Sequence, residues 1–67
     1  MGSVLVQFVV DTSGLVEIKT IKVMQSTNEY FTQSVMHTLP RLRYRPALAG
    51  GYKVRQWVQQ LFDFRVQ

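Results

Sequence analysis

The sequence predicts an α+β domain of two layers in the order β-β-α-β. Its three-stranded antiparallel sheet, ordered 2-1-3, packs on one helix. Three observations carry this. Val4, Val6, Phe8 and Val10 alternate on one side of a β-branched run, and a second such run follows after only four turn residues. Phe31, Val35, Leu39 and Leu42 then recur at helical intervals. From Lys53 the two-residue alternation returns and runs to Val66.

The first strand spans Val4 to Val10, with its valine-phenylalanine face toward the core. Asp11-Thr12-Ser13-Gly14 is a turn, because Asp and Ser bond to nearby backbone and Gly tolerates positive φ. The second strand runs from Leu15 to about Met24 but changes phase: Val16 and Ile18 share one parity, Ile21 and Val23 the other. A β-bulge near Lys19-Thr20 is expected to bring all four to the core. Ser26-Thr27-Asn28-Glu29 has capping-box spacing, and Asn28 is an equally good N-cap. Pro40 ends or distorts the helix, which leaves Arg41 to Tyr44 as a frayed last turn or a short extension. Pro46 to Gly51 reads as a loop.

In the third strand Val54, Gln56, Val58, Gln60, Phe62, Phe64 and Val66 share one face. Lys53, Arg55, Trp57, Gln59, Leu61, Asp63 and Arg65 share the other. Lys53 to Val66 would extend roughly 46 Å, too long for its hairpin partner. It is expected to overhang, to break at a bulge or to pair with a second molecule. In the order 2-1-3 it is also an edge, with unpaired backbone groups.

The chain has 67 residues, enough for one domain with a marginal core. No cysteine is present, so disulfides and thiolate metal sites are excluded, and a single histidine builds no imidazole site. Neither a membrane-spanning run nor a signal peptide is visible. Met1-Gly2-Ser3 reads as an expression scar before a single domain over residues 4–67, a fragment of a longer protein. The chemistry of an enzyme is missing: His37 stands alone in mid-helix, the four carboxylates are scattered, and Gly50-Gly51 precedes a strand rather than a helix. No cofactor or metal is expected.

The net charge of +4 admits an anionic partner or simply aids solubility. Arg41, Arg43 and Arg45, with Lys53 and Arg55 following the loop, form the one charge cluster. They are read either as a patch for phosphate or acidic peptide, or as cations meeting a helix C-terminus. A basic nucleic-acid module is the weaker rival, because the first strand offers only Phe8 for stacking. Nucleic acid is therefore not an expected partner. Trp57 is either tucked against a neighbour or serves as an interface anchor.

Several segments in order resemble a known family, the C-terminal domain of TonB, the periplasmic energy transducer of Gram-negative bacteria. They are Val6 to Val16 with its Val-Asp-x-x-Gly-x-Val pattern, Ser26-Thr27 before the helix, Leu39 to Ala47 with Tyr44-x-Pro46, Gly51, Val54 to Gln60, and the closing Phe62-Asp63-Phe64. The resemblance covers Val4 to Val66 and departs at Leu42, where many relatives carry tryptophan. It implies a non-catalytic domain that takes up the TonB box of an outer-membrane receptor as an added strand beside the third strand. Arg55, Trp57, Gln59, Leu61 and Asp63 are then the partner-binding residues, and Arg43, Tyr44 and Pro46 the motif after the helix that aims that strand. It further implies a periplasmic location with a tether to the inner membrane, force from an inner-membrane proton channel, and a homodimer of the short chain. The alternative is a dimerisation or interaction domain of another envelope protein.

Overall fold

The computed structural model describes residues 1–65. The strands are β1 (Gly2–Val10), β2 (Val16–Ser26), β3 (Ala47–Ala49), β4 (Tyr52–Val54) and β5 (Gln56–Phe64), with one helix, α1 (Glu29–Thr38), between β2 and β3. The principal sheet is ordered β2-β1-β5 and both of its pairings are antiparallel, while β3 and β4 form a separate two-stranded sheet. The expected α+β architecture and strand order are present, with β5 as the expected third strand.

Alternation in β1 produces the core. Val4, Val6, Phe8 and Val10 are buried against Val16, Val35 and Leu39, with Phe31, Leu42, Tyr44, Val58, Phe62 and Phe64 packed around them. The strand begins at Gly2, earlier than expected, and Gly2 pairs with Phe64. A Cβ at Gly2 would lie 2.5 Å from the Phe31 ring. That ring stacks on Phe64 with centroids 4.7 Å apart.

The second strand meets expectation in its irregularity and departs from it in burial. The irregularity falls where it is expected: register is lost between the pairs Gln7↔Lys22 and Val9↔Glu17. Thr20 fills the gap, its hydroxyl accepting from Val9 N–H at 2.8 Å and donating to the Glu17 carbonyl at 2.6 Å. The bulge does not bring all four apolar residues inside, however. Val16 is buried and Ile21 half-buried, but Ile18 and Val23 are exposed. The reason is reach. Ten helical residues cover about 15 Å, and eleven strand residues extend about 36 Å. One short helix cannot roof the whole of an outer strand.

Asn28, not a Ser26-Glu29 box, caps the helix: its side-chain oxygen accepts from Tyr30 N–H at 2.7 Å. The α-helix stops at Thr38, and Leu39–Arg41 tightens into a 3₁₀ turn that contains Pro40. Leu42 is already extended (φ −79°, ψ 150°). Of Arg41, Arg43 and Arg45, only Arg41 therefore lies in a helical turn, and Arg43 and Arg45 fall in irregular chain beyond it. The macrodipole falls off within the last turn, so it does not account for those two.

The expected loop from Pro46 to Gly51 is instead one arm of a hairpin. Gly50 and Gly51 have φ of 58° and 84°. Two successive positive φ values are the requirement of a type I′ turn. The long alternating run is accordingly broken: β4 ends at Val54, Arg55 lies outside any strand, and β5 begins at Gln56. Val54 faces Ala47 in the small sheet rather than joining the principal one. Val66, assigned to the third strand from sequence, lies outside the described residues. The Cα radius of gyration is 13.0 Å, against about 11 Å for a compact chain of this length.

Candidate functional site: an unbroken sheet edge

β5 pairs with β1 in an uninterrupted register from Gly2↔Phe64 to Val10↔Gln56. Alternation divides its side chains as expected. Val58, Gln60 and Phe62 stand opposite Phe8, Val6 and Val4 on the helix side. Trp57, Gln59, Leu61 and Asp63 stand opposite Val9, Gln7, Leu5 and Ser3 on the open side. Trp57 is 58% exposed and Leu61 60%. Trp57 is thus not tucked into the fold, and it forms one wall of a shallow recess of ≈ 280 Å³ with Val9, Thr20, Arg55 and Gln56.

The two sheet edges differ. β2 suffers two register shifts and carries Lys19 and Lys22. Bulges and lysines are the devices by which proteins blunt an edge against further pairing. β5 carries no bulge in its pairing with β1, no proline and no lysine. Its outer edge lacks those devices.

Arg55 occupies the start of this strand in a constrained way. Its Nε and Nη2 donate to the two Glu17 carboxylate oxygens at 2.6 and 2.8 Å. The pair joins the segment before β5 to β2 across the open side. This hydrogen bonding holds the Glu17 carboxyl below its ordinary value and raises the Arg55 guanidinium. The pair is solvent-accessible, so it orients more than it stabilises. Asp63 at the other end accepts from Arg65 at 3.2 Å.

Tyr44 and Pro46 lie apart from that face, against the first turn. Asp11 Oδ1 accepts from Ser13 and Leu15 N–H, which shapes the turn around Gly14. Tyr44 N–H donates to the Gly14 carbonyl at 2.8 Å. Gly14 has φ of 86°, and a Cβ there would collide with the Tyr44 carbonyl oxygen and meet Pro46 Cδ at 3.6 Å. The Tyr44 ring packs on Phe8 at 5.6 Å, and its hydroxyl donates to Gln60 Oε1 at 2.7 Å. Partial burial pushes this phenol up from its ordinary value. Tyr44 thus joins the segment after the helix, the first turn and the middle of β5. Arg43 is exposed and takes no part in this contact.

Sequence reasoning missed Glu17, Thr20 and Gln60. Thr20 left a signal in the phase change of the second strand, and Gln60 left one as a polar residue, with Gln56, on a largely apolar face. Glu17 meets Arg55 across 38 positions of sequence, and no local pattern announces that pairing.

No curated protein matches the chain. The model of the family described as Gram-negative bacterial TonB protein C-terminal matches residues 1–66. Over essentially its whole length, the chain belongs to the TonB C-terminal family, whose members are periplasmic energy-transducer and interaction domains of the Gram-negative cell envelope.

Proposed function

We propose that the domain binds, without catalysis, the TonB box of an outer-membrane receptor by adding it as a fourth strand beside β5. The observation that carries this is the uneven treatment of the two edges, with β2 bulged and lysine-bearing and β5 regular along nine residues. Main-chain hydrogen bonds supply most of the affinity, and pockets for alternate side chains supply selectivity. Trp57, Gln59 and Leu61 border the incoming strand on the open side. Asp63 and the Glu17-held Arg55 mark its two ends. Tyr44 and Pro46 belong to the support that aims β5. In this reading an inner-membrane tether and proton channel supply force, and the domain transmits it to the receptor for nutrient uptake.

The test is a Gln59→Pro/Leu61→Pro variant, titrated calorimetrically with a receptor-box peptide. Binding is expected to vanish while circular dichroism still reports a folded domain. Unchanged affinity in a folded variant refutes strand addition at β5. The same vacant edge also accommodates a second copy of β5, so a homodimer is expected at high concentration. Light scattering that finds only a 7.8 kDa species there contradicts the dimer.

A further inference from the structure

The net charge of this chain resides in one segment. Arg41 to Lys53 contains Arg41, Arg43, Arg45 and Lys53 and no carboxylate, while the remaining cations and acids are equal in number. All four cations are exposed, and among the described residues none of them is in an ion pair. The segment ends in the β3–β4 hairpin, whose tip, Leu48-Ala49-Gly50-Gly51-Tyr52, is uncharged. Leu48 is 68% exposed and Tyr52 78%. Register places Leu48 opposite Lys53 and Tyr52 opposite Ala49. The tip therefore presents a large apolar side chain on each face of the ribbon, with Arg45 just before it and Lys53 just after.

We infer that the hairpin is a docking element for an anionic phospholipid surface, with its tip entering the headgroup layer end-on. Both faces of the ribbon carry apolar groups, which suits a medium that surrounds the tip. A flat protein contact would bury one face and leave the other in water. Three-residue strands also fall far short of the roughly 800 Å² per partner that a stable protein interface needs. Charge complementarity selects the lipid: cations beside a membrane surface attract anionic headgroups and are screened by salt. A tyrosine ring sits well at headgroup level, and the lysine stem lies along apolar surface while its ammonium stays in water. This surface lies on a different sheet from β5, so the inference stands or falls independently of receptor binding.

The experiment is vesicle flotation of the whole chain, with phosphatidylcholine alone and with added phosphatidylglycerol, at low and high salt. Binding is expected only with phosphatidylglycerol and is expected to weaken as salt rises. Each cation near the surface contributes about fivefold, so Arg45→Gln/Lys53→Gln is expected to weaken binding roughly thirtyfold. Leu48→Ser/Tyr52→Ser, which alters only exposed side chains, is expected to weaken it more than tenfold. Thermal melts confirm that both variants remain folded. The inference is overturned by absence of binding to anionic vesicles at low salt, or by equal binding to neutral vesicles. It is equally overturned if either variant binds like the parent, or if lipid-free self-association disappears in Leu48→Ser/Tyr52→Ser, which would assign the tip to a second copy.

Discussion

Replacing Gly14 by alanine tests whether the first turn and the chain after the helix are one structural unit. Gly14 has φ of 86° and lies under the Tyr44 carbonyl, and its own carbonyl accepts from Tyr44 N–H at 2.8 Å. A left-handed backbone at an L-residue costs about 1–2 kcal/mol. The collision also forces Tyr44 away and breaks or lengthens that hydrogen bond, which adds about 1–3 kcal/mol if a donor is left unpaired. The sum is about 2–5 kcal/mol. A domain of this size has about 3–10 kcal/mol of total stability, so Gly14→Ala is expected to remove a large part of it. Gly51 supplies a matched control, with φ of 84° and nothing within 4 Å of a Cβ. Gly51→Ala therefore bears only the backbone cost, and on a peripheral hairpin. Urea denaturation followed by far-ultraviolet circular dichroism measures both. An excess loss of at least about 1 kcal/mol for Gly14→Ala is expected. Equal losses at the two glycines would refute the docking of Tyr44 on the turn as a stabilising contact.

Other outcomes follow from the same geometry. Thr20→Val retains the shape but leaves Val9 N–H without its acceptor, and a loss of about 1–3 kcal/mol in urea melts is expected. The Tyr44 phenol is raised in the folded state by burial. Its stabilising effect is thus present below the unfolded value of 10.0 and is lost as pH rises through the folded value. Stability should fall as pH rises from 10.0 through the folded value, and Tyr44→Phe should lessen the fall. Glu17 is shifted the other way, so its contribution is present above the unfolded value of 4.5 and is lost as pH falls through the folded one. Carboxyl titration by nuclear magnetic resonance should place Glu17 below that value and return it toward the ordinary range in Arg55→Met. Leu39→Ala, at a fully buried position, should cost about 2–5 kcal/mol in the same urea assay.

The sequence made the core legible because burial and alternation coincide there. Val4, Val6, Phe8 and Val10 have one period, and each meets a residue of the same parity on β5. Parity also placed Trp57 and Leu61 on the open face without any structure. What escaped were contacts between segments that each looked complete. Gly14 and Tyr44 were both visible as signals, yet their contact requires the folded arrangement of turn, helix exit and β5. The phase change in β2 announced a bulge, but whether Ile18 and Val23 are covered depends on the reach of α1, a property of another element. The β3–β4 hairpin was hidden for a local reason. Ala47-Leu48-Ala49 has weak strand propensity, so Gly50-Gly51 read as the end of a loop rather than as the turn between two strands.

The central claim is that the outer edge of β5 accepts an extended peptide, and amide hydrogen exchange resolved by residue tests it most directly. On saturation with a receptor-box peptide, new protection is expected at alternate amides between Gln56 and Phe64, the periodicity of an added antiparallel or parallel ladder. Amides of β2 should be unchanged. New protection along β2, or affinity with no alternating protection in β5, would contradict the account.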